Sequence, residues 1–303
     1  MAAQSYDLIG DIHGQHAKLL TVLNTLGYSP RGQFAGWIHP EGRKIIFLGD
    51  YINRGPKIRE VLYEVRGMVE AGDALAIIGN HEFDAILHKI TGASSLPDSR
   101  STQQQFAGRE TEWSGWVSWL TDLPLFLDLG DLRAVHACWD ARAIGDLGGR
   151  ASLGSGLIDA CLDRETRERK ALNRLLFGPV LKVPTDALVL NPRGMPMPEI
   201  RVRWWNLPSS PYPIGDLALP ESLEGHGMID PSELMDMPDY PLGHPPVFFG
   251  HYWLPRDRAK TPLAANLACL DFGAAAGTAP LVAYRWDGEQ VLSSAKFCTA
   301  IAS

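Results

Sequence analysis

Lys44-Ile45-Ile46-Phe47-Leu48-Gly49-Asp50-Tyr51-Ile52-Asn53-Arg54-Gly55 is the stretch that decides how this chain folds. Four apolar residues in a row read as a buried strand, and Gly49-Asp50 ends it. A strand buried on both faces delivers the side chain at its end to one edge of a sheet, where ligands converge in open α/β architectures. The same pattern recurs. Tyr6-Asp7-Leu8-Ile9 runs into Gly10-Asp11-Ile12-His13-Gly14, and Ala74-Leu75-Ala76-Ile77-Ile78 runs into Gly79-Asn80-His81-Glu82. Leu132-Arg133-Ala134 leads into Val135-His136-Ala137, and Val247-Phe248-Phe249 into Gly250-His251-Tyr252. Five strand ends that bring only oxygen and nitrogen ligands point to a site for two metal ions. Dinuclear hydrolysis needs cations roughly 3.5–4 Å apart with an anionic bridge. A carboxylate is the common bridging side chain, and Asp50 is the natural bridge.

Between these cassettes the spacing turns helical. Leu19, Leu20, Leu23 and Leu26 recur on one face and Gly27 supplies a stop. Pro56 stands where a first helical residue would, followed by a stripe of Ile58, Val61, Leu62, Val65, Met68 and Val69 closed by Gly72. Strand–helix–strand–helix–strand implies parallel crossover units. Segment 92–105 is polar and rich in breakers, which predicts an exposed loop. Trp113, Trp116, Val117 and Leu120 return to helical spacing, and residues 156–177 read as one or two charged surface helices.

Fourteen of the 22 prolines fall between Pro179 and Pro246. That density forbids long regular elements. The region, about 179–246, reads as an ordered cover over the active edge, because Ile200, Val202, Trp204 and Trp205 need burial; a partly disordered insertion is the alternative. Beyond Val247 the pattern predicts short antiparallel strands at 247–252, 266–272, 280–286 and 290–296, with Asp287-Gly288 as a hairpin turn. No internal repeat is evident, and residues 1–303 read as a single domain.

Composition sets limits. An apolar content of 45% in 303 residues supports a sizeable core. A net charge of −7 and an isoelectric point near 5.7 disfavour general binding of nucleic-acid backbone. Cys138, Cys161, Cys269 and Cys298 form no CxxC pair and read as reduced thiols. No apolar run approaches the ~18–20 residues of a membrane span and no signal peptide is evident, so the expectation is a cytoplasmic protein.

The ordered series GDIHG, GDYxxRG, GNHE, His and GH resembles the phosphoprotein phosphatase branch of the calcineurin-like metallophosphoesterases. The bacterial members of that branch include serine/threonine phosphatases and symmetrical diadenosine tetraphosphatases. Leu270-Asp271-Phe272-Gly273 with Leu281-Val282-Ala283-Tyr284 looks like the family's closing strand pair, while about 141–245 shows little similarity to it. The resemblance implies an α/β fold, a four-layer α-β-β-α sandwich of two packed mixed sheets. It implies that Asp11, His13 and Asp50 bind a first ion and that Asp50, Asn80, His136 and His251 bind a second. With carboxylate, imidazole and amide ligands and no thiolate, manganese, iron, zinc or a mixed pair all suit such a site.

By the same resemblance Arg54 binds the phosphoryl oxygens and His81 protonates the leaving oxygen after in-line attack by a metal-bound hydroxide. Asn53 departs from the family, most of whose members carry Asp there, paired to the histidine. Its amide oxygen is expected to accept the His81 N–H; a substitute carboxylate, Asp84 or Glu82, is the alternative, and an inactivated copy a third reading. Arg201 and Arg203 alternate along 199–205, a strand expected to send both to one face, with one of them as a second phosphate-binding arginine. Trp205, Tyr252 and Trp253 read as packing residues, or as a platform for a nucleobase. His16, His39, His88, His226 and His244 lie outside the cassettes and read as surface or structural histidines.

The expected activity is dinuclear hydrolysis of a phosphate monoester, including phosphoserine or phosphothreonine in a protein. Cleavage of a dinucleoside polyphosphate such as Ap4A is the alternative, mildly favoured by Asn53 because anhydride leaving groups need less protonation. A non-catalytic metal-binding module, with the Pro-rich region as its partner surface, is a second alternative. The partners are therefore a phosphorylated small molecule, a nucleotide or a phosphoprotein, with no membrane.

Overall fold

The computed structural model describes residues 4–300 apart from 33–35, 93–96, 192, 206, 221 and 222. Two mixed sheets organise it. The first contains β1 (Tyr6–Ile9), β2 (Lys44–Phe47), β3 (Ala74–Ala76), and, from the C-terminal part, β8 (Leu281–Trp286) and β9 (Phe297–Ala300), in the order β9-β8-β1-β2-β3. β1, β2 and β3 pair in parallel; β8 is antiparallel to β1 and to β9. The second contains β4 (Phe126–Asp128), β5 (Arg133–Val135), β6 (Val247–Phe249) and β7 (Leu267–Cys269), in the order β7-β6-β5-β4. Here β5, β6 and β7 are parallel and β4 is antiparallel. One apolar core joins both sheets. It includes Leu8, Ile9, Ile46 and Phe47 from the first and Val135, Val247 and Phe248 from the second, all buried. The Phe248 and Tyr284 rings, one from each sheet, lie 5.0 Å apart.

The helical readings stand, except that Pro56 lies outside the second helix, which begins at Ile58. α1 (His16–Leu26) buries Leu19, Val22, Leu23 and Leu26 and ends at Gly27, whose φ of 94° is the left-handed conformation that closes a helix without a Cβ clash. α2 (Ile58–Glu70) buries Ile58, Val61, Leu62, Val65 and Met68. α3 (Asn80–Thr91) follows the third cassette directly. Segment 92–105 departs from the expected loop. Residues 93–96 lie outside the described residues, but Pro97–Ser99 form a 3₁₀ turn and Arg100–Gln105 a short helix, α4, with Thr102 buried. The polar sequence misled because α4 is held by polar contacts: Gln105 accepts the Ile58 N–H and donates to the Gly55 carbonyl. α5 (Glu110–Asp122) buries Trp116, Val117 and Leu120, and α6 (Ala141–Asp146), α7 (Gly154–Leu162) and α8 (Arg167–Phe177) complete the set.

In the Pro-rich region the described residues form short strands, with Glu199–Val202 between Val180–Lys182 and Ala218–Leu219. Ile200 and Val202 are buried in a second apolar cluster, while Trp204 joins the main core and donates its indole N–H to the Ala137 carbonyl at 3.2 Å. Two C-terminal expectations need correcting. β6 and β7 are parallel to each other and to β5, because the chain crosses over between them and does not turn back in a hairpin. The last strand is Phe297–Ala300, not 290–296, and a ten-residue connection containing a 3₁₀ turn at Ser294–Lys296 precedes it. Gly288 does take a left-handed φ of 105°, but it bends a longer loop. Among the described residues no helix is long and apolar enough to cross a membrane.

Candidate metal centre

The five cassettes meet at one edge of the two sheets. Asp50 lies between two donor groups: Oδ2 is 3.4 Å from His13 Nε2, and Oδ1 is 3.4 Å from His136 Nε2. One cluster of potential metal donors is His13, Asp50 and His81; the other is Asp11, Asp50 and His136, with donor atoms within 4.8 Å of one another in each. Both contain Asp50, so its two oxygens face two different groups. His81 enters the first cluster in place of Asp11, a division different from the expected one. Asn80 Oδ1 joins the second side, 2.9 Å from His136 Nε2 and 3.0 Å from His251 Nδ1.

Local backbone explains how strand ends can present these groups. His13, Asp50, Asn53, Arg54, His251 and Trp253 all have positive φ. Among the described non-glycine residues these six alone do, and each lies in or beside a cassette. Such strain is retained where the surrounding structure over-determines the conformation. Glu82, at the third position of α3, accepts the N–H groups of Asp50, Tyr51 and Ile52 at 2.8, 2.8 and 3.2 Å and of Gly79 at 3.0 Å. It fixes the Asp50 loop against the helix and is not a substitute partner for His81. The His81 N–H, a free donor at the helix start, goes to Asp50 Oδ1 at 3.1 Å. Two cassette glycines are required by close approach. A Cβ at Gly79 would stand 2.2 Å from Asp50 Oδ1, and one at Gly250 1.9 Å from Asp11 Oδ1.

The donors fit cations. Asp11 Oδ1 is buried and has no hydrogen-bond partner. His13 and His136 direct Nδ1 at the carbonyls of Ile52 and Leu48, at 2.9 and 2.8 Å, which leaves each Nε2 lone pair toward Asp50. Charge is concentrated here on buried side chains. Burial works against an ionised Asp50, yet His136 and His81 outweigh it and hold its carboxyl well below the ordinary range. Burial, Asp271 and Asp50 push the Asp11 carboxyl well up. Burial disfavours a protonated His136 too, but Asp50 and Asp11 raise it to about 10. Burial lowers His13 to about 3 and His251 well below its usual value, the latter helped by Arg201. A bound cation would take over the neutralising role that the His136 proton serves.

Above the donors opens a cleft of about 430 Å³, lined by Asp50, Arg54, Asn80, His81, Arg201 and His251 with Phe177, Val180 and Trp253. Arg54 donates Nε–H to Asp98 at 2.8 Å, approaches His13 Nε2 at 2.6 Å and lies 4.6 Å over the Trp253 ring. Trp253 is 37% exposed. Arg201, on the strand Glu199–Val202, reaches His251 Nε2 at 3.0 Å. Arg203 lies beyond that strand and outside the cleft lining; its N–H goes to the Leu217 carbonyl. Trp205 and Tyr252 pack on each other and on Phe249, so of the three aromatic candidates Trp253 alone lines the cleft.

Asn53 faces His81 through its amide nitrogen, Nδ2 lying 2.7 Å from Nδ1, while Oδ1 accepts the Thr102 hydroxyl at 2.5 Å. This reverses the expected polarity, because Thr102, on the helix read as a loop, claims the amide oxygen. Asp84 lines a neighbouring cavity with His88 and Thr102. Three contributors escaped the sequence reading: Asp98, Thr102 and Asp271, whose carboxylate holds the Trp253 and Gly273 N–H groups at 2.8 and 2.9 Å. Only Asp271 left a signal, in Leu270-Asp271-Phe272-Gly273.

Residues 6–141 match the profile of the calcineurin-like phosphoesterase family. A bis(5′-nucleosyl)-tetraphosphatase, asymmetrical, of Bacillus subtilis strain 168 is 39% identical over 77 residues, 25% of this chain and 31% of that protein. One from Bacillus velezensis is 36% identical over 154 residues, 46% and 59% of the two chains. A symmetrical bis(5′-nucleosyl)-tetraphosphatase of Aromatoleum aromaticum is 28% identical over 129 residues, 43% and 42%. The chain thus spans between about a third and three fifths of these relatives' lengths. In fold it is similar to a serine/threonine phosphatase from Saccharomyces cerevisiae, with a TM-score of 0.53 at 14% identity over 99% of this chain and 80% of that one. A cold-active protein tyrosine phosphatase gives 0.51 at 15% identity over 98% and 79%. The profile match over residues 6–141, the ordered cassettes and the common fold agree in direction: the chain is similar to the calcineurin-like phosphoesterases.

Proposed function

We propose that the chain is a dinuclear-metal phosphohydrolase whose preferred substrates are phosphoanhydrides of the dinucleoside polyphosphate class, with phosphomonoesters second. One observation carries the reading: Asp50 turns its two oxygens to two donor groups, directly under a cleft that holds Arg54, Arg201 and His81. Asp11, His13 and Asp50 would hold one ion and Asp50, Asn80, His136 and His251 the other, and the metals are manganese, iron or zinc. When bound, the cations supply positive charge that activates a water and neutralises the phosphoryl group.

The chain's own residues do the rest. Arg54 and Arg201 grip phosphoryl oxygens, and their guanidinium N–H groups match the charge that develops in the transition state. Asp98 and Trp253 hold Arg54 in place from two sides. His81 Nε2 faces the leaving oxygen. The order of substrates follows from Asn53, which brings no negative charge to His81; burial, with Arg54 and His136, lowers the histidine's proton affinity although Asp50 opposes this. A weak proton donor suits a leaving group that departs as a stable anion. Two sets of relatives named tetraphosphatases support the same order. The Pro-rich region, 179–246, serves as a cover that contributes Arg201 and Val180 to the cleft.

The test is a panel of Ap4A, ATP, phosphopeptide and p-nitrophenyl phosphate, assayed with metal-stripped protein and after addition of Mn²⁺. Metal-dependent turnover highest on Ap4A supports the proposal. Turnover highest on the phosphopeptide would reverse the order of substrates, and no turnover despite bound metal would favour a non-catalytic module.

A further inference from the structure

Behind His81 runs a chain of polar contacts that begins outside all five cassettes. Thr102, buried on α4, accepts the Asn53 backbone N–H through Oγ1 at 3.0 Å and lies 2.5 Å from Asn53 Oδ1. A hydroxyl has one proton to give. With the amide oxygen toward it, the hydroxyl accepts one bond and donates the other. With the amide turned over, Oγ1 would accept from two N–H groups and its own proton would lose this acceptor in a buried place. The amide nitrogen therefore faces His81, whose Nδ1 is 2.7 Å away. An amide N–H can only donate, so Nδ1 accepts and the ring proton sits on Nε2. Nε2 is on the cleft side, 3.8 Å from Asp50 Oδ2.

We propose that Thr102, acting through Asn53, holds His81 as the neutral Nε2–H tautomer, which makes His81 a hydrogen-bond donor into the cleft and not a metal ligand. A protonated Nε2 has no lone pair to give a cation, so the cluster with His13 and Asp50 loses His81 as a ligand although its geometry would admit it. A donor that offers a hydrogen bond without a carboxylate behind it stabilises an anhydride leaving group better than it serves an alkoxide, which needs the whole proton. Thr102 and Asn53 are positioning residues in this account. The consequence for turnover rests on the phosphohydrolase reading above; the tautomer itself does not.

The experiment is ¹⁵N NMR of histidine-labelled, zinc-loaded protein, with His81 assigned from the signals lost in His81→Asn. The expected result is an unprotonated shift at Nδ1 and a protonated one at Nε2. Thr102→Val should release the amide and populate the Nδ1–H form, and Thr102→Ser should restore the parent spectrum. Asn53→Asp, whose carboxylate only accepts, should move the proton to Nδ1. A protonated Nδ1 in the parent, or no change in Thr102→Val, overturns the proposal. If the parent shows the Nε2–H tautomer yet hydrolyses no phosphate compound in any metal, the tautomer stands and the phosphohydrolase reading falls. With turnover, Thr102→Val should lower kcat on Ap4A about tenfold at unchanged KM, and Thr102→Ser should recover it; a Ser variant no better than Val would make the role of Thr102 one of packing alone.

Discussion

Adding one methyl group at Gly250 should disable the metal centre while leaving the fold in place. Gly250 directly follows β6, and its position has no left-handed φ, so Gly250→Ala introduces no backbone strain there. The cost is steric. The new Cβ would stand 1.9 Å from Asp11 Oδ1 and 3.0 Å from its Cγ. Real Cβ contacts essentially never fall below 3.0 Å, so Asp11 Oδ1 must retreat by the difference, about 1.1 Å. Its other oxygen is tied to the His251 N–H at 3.0 Å, so the displacement is passed to His251, the proposed ligand of the second ion, as well. Displacements of about 1 Å near the chemistry cost on the order of 10²-fold in rate. Overpacking of this kind destabilises by roughly 1–3 kcal/mol, which a 303-residue chain should survive. The assay pairs metal content per chain by mass spectrometry with Ap4A turnover, and circular dichroism to confirm folding. The expected outcome is a native spectrum, substoichiometric metal and turnover reduced about 10²-fold. Two bound ions and turnover within about twofold of the parent would refute the claim that Gly250 is there to clear Asp11.

Other outcomes follow from single contacts. Asp50→Asn should lose both ions while Asp11→Asn loses mainly one, read by calorimetric titration of Mn²⁺; equal stoichiometry in the two variants would deny the bridge. Arg54→Ala and Arg201→Ala should each weaken inhibition by inorganic phosphate about 10–100-fold with metal content unchanged, the loss expected for a charged hydrogen-bonded clamp. Arg43→Ala should destabilise the chain by about 3–5 kcal/mol in urea unfolding without changing metal content. It removes the main partner of fully buried Asp7, to which Arg43 donates at 2.8 and 3.0 Å, and leaves, among the described side chains, Tyr28 and Arg285. Burial pushes the Cys138 and Cys269 thiols well up, so neither should react with iodoacetamide at pH 8 in the native protein, while both should react in denaturant.

The parts of the fold legible in the sequence are those where burial and geometry act through neighbouring residues. Strands such as Ile45–Phe47 are buried on both faces, so their composition alone marks them, and at Gly79 and Gly250 the glycine after the strand is dictated by the carboxylate that must pass it. The stripe on α2 is legible for the same reason. What escaped depends on contacts between distant positions. α4 has no apolar residue and is held by Gln105 against Gly55 and Ile58 and by Thr102 against Asn53, 47 to 50 residues earlier by number, so local pattern gives no hint of it. Whether β6 pairs in parallel with β7 is settled by the crossover between them and not by either strand. The Asn53 amide shows the limit most clearly: the residue type admits either polarity toward His81, and a threonine in another element chooses between them.

The measurement that bears most directly on the two-ion account is anomalous diffraction from crystals grown with Mn²⁺, collected at the manganese edge. The account predicts two peaks roughly 3.5–4 Å apart, one on each side of the Asp50 carboxylate, with Asp11 and His13 at one and Asn80, His136 and His251 at the other. A single peak, or two that do not share Asp50, would contradict it.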